Sequence, residues 1–188
     1  MEAVFKRELV LDKRLSRVLV LFFAVILLSL SAFVRVPLPF TPVPLTLQTL
    51  FVLLFAGLLG ARLSIAAQLG YLFLGAAGLP VFSQAACGLA YFFSPTAGYL
   101  FGFILANIFI TNFIKHAKDN FLRVVLLFSL ADIIILSFGS VWLKITLHVS
   151  LINSFTMGFL PFITGDILKI LTAATLYFRL SPRVKEIL

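Results

Sequence analysis

The sequence predicts an all-α membrane protein: a polytopic bundle of about six transmembrane helices, in a single membrane domain that covers residues 1–188. The first observation behind this is composition, since 62% of the residues are hydrophobic and only 12% are charged. A soluble domain carries roughly a quarter charged residues. Such a chain cannot coat a water-facing surface, so its surplus apolar surface requires lipid as solvent. The mean hydropathy of +1.15 agrees.

The second observation is the spacing of apolar segments. A spanning helix takes roughly 20 mostly apolar residues, and somewhat fewer where it is buried in a bundle. We expect helices at about residues 18–34, 46–59, 63–79, 96–114, 124–143 and 155–178. Residues 1–17 form a basic arm in front of the first helix.

Two long connections separate these helices. Residues 36–46 read VPLPFTPVPLT, in which four prolines forbid a helix and favour an extended path. Residues 80–95 form a second long connection, which is uncharged and contains Gly and aromatic residues.

The distribution of Lys and Arg is the third observation, because cytoplasmic loops carry an excess of these residues. With both termini inside, twelve of them fall on the cytoplasmic side, while Arg35 and Lys144 fall outside and Lys169 lies within a helix. We therefore expect a multi-pass protein of the cytoplasmic (inner) membrane, with both ends in the cytoplasm and both long connections outside. This asymmetry, rather than nucleic-acid binding, accounts for the net charge of +8.

The start of the chain allows one alternative interpretation. A basic arm, an apolar run and Ser29-Leu30-Ser31 before Ala32 resemble a secretory signal with its cleavage site. Cleavage there would leave five spans and spoil the charge asymmetry, so we favour a retained first helix.

Asp166 and Lys169 are ionisable residues within the last predicted helix. Inserting such a residue at the bilayer centre costs about 2.5–3.5 kcal/mol of free energy, so its presence there indicates a specific role or partner. A spacing of three places both side chains on one helix face, and Pro161 and Gly165 weaken the helix just before them. The pair predicts a polar site for a small ligand that needs an acceptor and a cation. The alternative is a self-neutralising pair that only orients the helix.

Other polar and small residues in the spans carry weaker predictions. Asp132 lies mid-helix with no cation at helical spacing, and either faces a polar site or pairs with Lys169 or Arg35. Gly98 and Gly102 form a G-x-x-x-G pair, which favours close approach of another helix. Three neutral polar residues are expected to form interhelical hydrogen bonds. They are Gln48, Gln68 and Asn107.

The sequence lacks the motifs that characterise several classes of function. There is no G-x-x-x-x-G-K-[ST] loop for ATP, no H-E-x-x-H or other metal-ligand spacing, and no evident Ser/His/Asp set within the bundle. We therefore expect no enzyme activity, no metal and no cofactor. An intramembrane enzyme is the less favoured alternative, and a purely structural protein would not need two carboxylates and a lysine inside its helices.

Four motifs, taken in order and spacing, resemble the BioY family of biotin transporters. These are the substrate-binding S components of energy-coupling-factor (ECF) uptake systems. The motifs are VPLPFTPVPLTLQTLFVLLFAGLLGAR, YLFLGAAGLPVF, GLAYFFSPTAGYLFGF and PFITGDILK. The resemblance runs from about residue 36 to the end of the last helix. It implies a six-helix bundle that captures biotin from the outside, in a cavity near its outer face, as the high-affinity binding subunit of a vitamin transporter.

The resemblance also implies which residues hold biotin. The family's D-x-x-K pair corresponds to Asp166 and Lys169, and the loop before the fourth helix resembles the family's binding loop, which adds Gln84 and Tyr99. Where the family usually has glycines, this chain has residues 83–87 (SQAAC) and an alanine at 97, so the loop is less flexible. Another small vitamin on the same architecture is the alternative ligand.

The implied partners are a transmembrane coupling subunit and an ATPase module, besides the lipid bilayer itself. Subunits of this type commonly carry small residues four apart on helix one, where the coupling subunit docks. Here Ala24 is followed four positions later by Leu28, so this docking pattern is degraded. The protein therefore either docks differently or works without such a partner.

Overall fold

The structure, a computed structural model, describes residues 13–188, apart from the side chain of residue 185. Residues 1–12 of the predicted basic arm lie outside the described residues. The helices are α1 (Lys13–Phe33), α2 (Gln48–Ala76), α3 (Ala97–Ala117), α4 (Phe121–Leu147), α5 (Leu151–Gly158) and α6 (Ile163–Ile187). Two short strands, β1 (Arg35–Val36) and β2 (Leu45–Thr46), pair antiparallel. Turns of 3₁₀-helix occupy Ser83–Ala85, Leu89–Phe93 and Leu160–Phe162.

Within residues 13–188, five helical segments are long and apolar enough to cross a membrane, where the sequence predicts about six. The difference lies in α2, whose 29 residues would extend about 43 Å if straight. Gly60 interrupts it with φ 71° and ψ 171°. The Gln48 amide nitrogen then donates to the Tyr71 hydroxyl at 2.9 Å, although 23 residues separate them. The chain therefore reverses at Gly60, and residues 48–59 and 61–76 form the two predicted passes.

The two ends of the described chain lie at the same end of the bundle. Arg17 of α1 donates from Nη2 to the backbone oxygen of Leu188, at 3.3 Å. Two chain ends can lie at the same end of a bundle only if the chain crosses it an even number of times, and six crossings satisfy this condition. The connection after Phe33 then lies at the opposite end. The predicted basic arm differs in one respect, since Lys13 already begins α1.

Close packing of α3 against α4 confirms the prediction made for the glycine pair. A Cβ atom on Gly102 would lie 2.9 Å from the Cα of Ile135. One on Gly98 would lie 2.8 Å from the backbone oxygen of Phe138 and would also meet Trp142. The absence of side chains therefore lets the helices touch through their backbones.

The three neutral polar residues make the interhelical hydrogen bonds predicted for them. Gln48 bonds Tyr71 as described above. Gln68 donates from Nε2 to the Phe103 carbonyl at 3.2 Å, and Asn107 Oδ1 accepts from the Ser64 hydroxyl at 2.9 Å. The first bond joins the two halves of α2, and the other two join the second half of α2 to α3, in a region where the bilayer core supplies no water.

The outer surface of the bundle is apolar, as a lipid-facing surface must be. Phe22, Phe23 and Phe73 are more than 60% exposed.

The residues of α1 at the positions of the docking pattern face the interior of the bundle. Ala24 and Leu28 are 1% and 2% exposed, and so pack inside the bundle. The register of α1 therefore removes this pair from any surface that a partner could contact directly.

The last predicted helix is two helices in the structure. α5 ends at Gly158, a 3₁₀ turn that contains Pro161 follows, and α6 begins at Ile163. The predicted weakening before the charged pair is thus a full break. Gly165 lies inside α6 and has another role, since a Cβ there would be 2.7 Å from Leu45 of β2. It lets the Pro-rich connection approach α6.

Candidate functional site

A cavity lies at the end of the bundle that carries the two long connections. Both connections line it together with α2, α3, α4 and α6. Its polar residues are Thr46, Gln48, Thr49, Ser83, Tyr91, Thr96, Tyr99, Asp166 and Lys169. Its apolar residues are Val43, Pro44, Leu100, Phe103, Ile135, Leu136 and Phe162. Apolar walls with a few convergent polar groups are typical of small-molecule sites.

The charged pair lies in the wall of this cavity. Lys169 donates from Nζ to Asp166 Oδ1 at 2.7 Å, and the two residues are 6% and 2% exposed. Asp166 belongs to the first turn of α6, where unpaired N–H groups and the helix dipole favour a negative charge. The break between α5 and α6 is therefore what brings a helix start, and with it a carboxylate, to the cavity.

Asp132 lies just outside the cavity wall. It precedes the wall residues Ile135 and Leu136 by about one turn on α4, toward the end of the bundle where the described chain begins and ends. The residue is 4% exposed, and its Oδ1 has no hydrogen-bond partner among the described residues. Among the described residues no salt bridge joins it to Lys169 or Arg35, the two cations that the sequence offered as partners.

Tyr99 of α3 forms part of the wall, as the sequence led us to expect. Its ring packs where Gly139 of α4 has no side chain, and its centroid is 5.9 Å from that of Phe162. Its hydroxyl donates to the carbonyl of Gly158 at 2.6 Å. Tyr99 therefore joins the cavity wall to the break before α6.

Gln84 is not brought to the cavity. Its side chain is exposed, and its backbone is left-handed at φ 67°. Its neighbour Ser83 is buried instead and lines the cavity, with an Oγ that lacks a partner among the described residues. The loop before α3 therefore contributes to the cavity wall as expected, but through Ser83 and not through Gln84.

The loop that holds Ser83 is pinned by an aromatic cluster. Phe82 is fully buried and stacks on Tyr91 with centroids 4.4 Å apart. It meets Tyr71 edge-on at 5.5 Å, and Gly75 leaves room for its ring. Burial raises the pKa of the Tyr91 phenol, so this wall residue presents a neutral hydroxyl at physiological pH.

Sequence reasoning missed most of the neutral polar wall. Thr49, Ser83, Tyr91 and Thr96 were not singled out as ligand contacts, and Gln48 was assigned only an interhelical bond. The bond with Tyr71 exists, and Gln48 also faces the cavity. The TLQT run of residues 46–49, which leads from β2 into α2, was the available signal, because it places three polar side chains close together at the end of the Pro-rich connection.

Comparison with known proteins identifies relatives along nearly the whole chain. The model of the BioY family matches residues 6–186. A protein named biotin transporter BioY from Rhizobium etli is 36% identical over 168 residues, which cover 85% of this chain and 89% of the relative. One of the same name from Thermotoga maritima is 37% identical over 155 residues, covering 82% of this chain and 89% of that protein.

A solved structure shares the architecture. It is the crystal structure of the S-component for biotin from an ECF-type ABC transporter, and it superposes with a TM-score of 0.85. The two chains are 26% identical, and the match covers 90% of this chain and 92% of the other. The bundle described above, with its hairpin at Gly60 and its broken last helix, is thus similar to a transporter S component.

Proposed function

Because the chain belongs to the BioY family, we propose that it takes up biotin across the cytoplasmic membrane, as the substrate-binding subunit of a vitamin transporter. The observation that carries the proposal is the Asp166–Lys169 pair in the wall of a cavity whose other lining residues are all uncharged. The names of the relatives are those of biotin transporters. They favour transport over the intramembrane enzyme that the sequence had left as an alternative.

The chemistry of the wall suits the chemistry of biotin. Biotin presents two ureido N–H donors and one carbonyl, a thioether ring, and an aliphatic chain that ends in a carboxylate. Asp166 can accept from the ureido N–H groups, and Lys169 can donate to the carbonyl or to the acid. Leu100, Phe103 and Phe162 offer apolar contact for the ring and chain.

The site lies where a ligand captured from outside would enter. The twelve-to-two distribution of Lys and Arg favours both ends of the chain in the cytoplasm. In that orientation the cavity and its two covering connections face outward. We expect biotin to enter between the Pro-rich connection and the loop that holds Ser83.

We further propose that the energy for uptake comes from a transmembrane coupling subunit and an ATPase module. This chain has no ATP-binding loop of its own, and the solved structure it resembles is an S-component from an ECF-type ABC transporter. With Ala24 and Leu28 packed inside the bundle, the coupling subunit would have to contact larger side chains of α1, such as Phe22 and Ile26.

Binding of labelled biotin to the purified protein in detergent tests the proposal. We expect roughly one biotin per chain, and a loss of affinity of about ten- to a hundredfold for Asp166→Asn and for Lys169→Ala, since each change removes a charge-assisted contact. Retention no better than that of an unrelated membrane protein would overturn it. Competition by other vitamins distinguishes biotin from the alternative ligand.

A double variant separates binding from structure. Removing one partner of a buried ion pair destabilises strongly, whereas replacing both with neutral residues is often tolerated. Asp166→Asn combined with Lys169→Met should therefore stay folded in detergent but lose biotin. Full binding by this variant would mean that the pair only orients α6.

A further inference from the structure

A second cavity opens at the end of the bundle where the described chain begins and ends. It lies between the turn of α2 at Gly60 and the last turns of α3 and α6, and it shares no residue with the cavity that holds the charged pair. Four apolar residues and two lysines form most of its wall. These six residues, which we call the basic groove, are Leu58, Leu59, Ile114, Val184, Lys115 and Lys118.

The two lysines of the basic groove have no partner within the described part of the protein. Neither ammonium makes a hydrogen bond or a salt bridge among residues 13–188. The described carboxylates at this end, Asp119 and Glu186, are exposed and do not line the groove. Arg17 adds a third cation at the edge, because it bonds Leu188, which itself lines the groove. The lining is therefore cationic, and its ammonium groups are free to bind an anion.

The basic groove is apolar toward the membrane and charged toward the water. On α3, Ile114 lies one turn before Lys118 on the same helix face, and Lys118 lies where the helix ends. A Cβ on Gly60 would meet nothing within 4 Å, so the turn of α2 leaves the space beside it open. An amphipathic molecule with an anionic head matches this order of surfaces.

We propose that the basic groove binds an anionic phospholipid, with its phosphate on Lys115 and Lys118 and an acyl chain along Leu58 and Ile114. Basic pockets between the ends of transmembrane helices bind anionic lipid headgroups, and ammonium groups donate charge-assisted hydrogen bonds to phosphate oxygens. A lipid held there joins the turn of α2 to the ends of α3 and α6, and so stabilises this end of the bundle. The site is separate from the proposed biotin site and does not depend on it.

Binding of a labelled phosphatidylglycerol to the purified protein in detergent tests this site. Lys115→Ala combined with Lys118→Ala should weaken binding about thirtyfold, because each lysine close to a lipid phosphate contributes about a factor of five. Arg62→Ala combined with Arg123→Ala is the matched control. It removes two exposed cations that do not line the groove, and it should leave the affinity unchanged.

The two pairs of variants decide whether the groove itself is used. Equal losses in both would indicate attraction by the overall charge of this end, and would overturn the proposal. No loss in the lysine pair would also overturn it, and would leave these ammonium groups for an acidic segment of a partner protein.

Two further measurements identify the occupant. Phosphatidylcholine, whose headgroup has no net charge, should bind about tenfold more weakly than phosphatidylglycerol, and millimolar inorganic phosphate should not displace the labelled lipid. Val184→Trp keeps both lysines but fills the groove with an indole ring, so it should weaken lipid binding while the thermal midpoint without lipid stays that of the natural protein. Displacement by inorganic phosphate would identify a site for a free anion, and full lipid binding by Val184→Trp would place the lipid elsewhere. Either result would overturn the proposal.

Discussion

The Tyr99 hydroxyl donates to the carbonyl of Gly158 at 2.6 Å, across 59 residues of sequence. Gly158 is the last residue of α5, and a carbonyl at a helix end has no partner within its own helix. The hydrogen bond therefore satisfies the end of one helix and fixes the break after which α6 begins. Since α6 carries Asp166 in its first turn, the position of the charged pair depends on a residue of α3.

Tyr99→Phe should consequently weaken biotin binding about tenfold, which corresponds to about 1.4 kcal/mol. The ring still fills the space beside Gly139, so the change removes only the hydroxyl and leaves the Gly158 carbonyl unpaired. Equilibrium binding of labelled biotin measures the effect. Tyr177→Phe is the matched control, because Tyr177 of α6 is also buried but does not line the cavity. Equal affinities for the two variants would show that the hydroxyl does not position the site.

The reversal at Gly60 gives a prediction about stability. Its φ of 71° and ψ of 171° lie in a region that is essentially restricted to glycine. A Cβ there would meet nothing within 4 Å, so any cost of Gly60→Ala comes from the backbone alone. We expect a loss of about 1–3 kcal/mol in the free energy of unfolding, measured by denaturation in detergent.

Gly70→Ala is the control for that measurement. A Cβ on Gly70 would contact only a methyl group of Val25, at 3.2 Å, and alanine favours a helix over glycine. Its stability should change little. If both variants lost the same stability, the backbone at Gly60 would not be what requires glycine.

Gly102→Ala should destabilise for a different reason. Its Cβ would lie 2.9 Å from the Cα of Ile135, and backbone atoms of a packed helix cannot move aside as a side chain can. Overpacking of this kind costs about 1–3 kcal/mol. The same denaturation experiment measures it, with Gly70→Ala again as the control, and a stability equal to that control would contradict backbone contact between α3 and α4.

The parts of the fold that the sequence predicted are those set by local properties. Hydropathy over about 20 residues located the spans, the positions of Lys and Arg indicated how they face, and a spacing of three placed Asp166 and Lys169 on one face. The count of membrane-spanning helical segments, five instead of six, differed because the single residue Gly60 makes the turn between two passes. Its neighbours in sequence are helical on both sides, and the backbone angles of Gly60 together with the contact between Gln48 and Tyr71 show the reversal.

The neutral part of the cavity wall could not be predicted in this way. Whether Ser83 or Gln84 faces the cavity depends on the left-handed backbone at Gln84, which follows from how Phe82 is held by Tyr91 and Tyr71. These are contacts between distant segments, and single-sequence patterns do not record them. Asp132 is the opposite case. Its charge marked it at once, but only the packed structure shows that it lies outside the cavity wall, with one oxygen unpaired among the described residues.

Chemical labelling tests the orientation that transport from outside requires. Cys87 is the single cysteine of the chain, and it is exposed in the loop that covers the cavity. A membrane-impermeant maleimide added to right-side-out membrane vesicles should therefore label the natural protein, and a Cys87→Ser variant should remain unlabelled.

A second thiol reports on the opposite end of the bundle. In the Cys87→Ser background, Lys13→Cys places it at the start of α1. It should react only after the vesicles are opened, because α1 begins on the cytoplasmic side. Labelling of Lys13→Cys in sealed vesicles, with Cys87 protected in the natural protein, would invert the orientation and place the cavity on the wrong side for uptake.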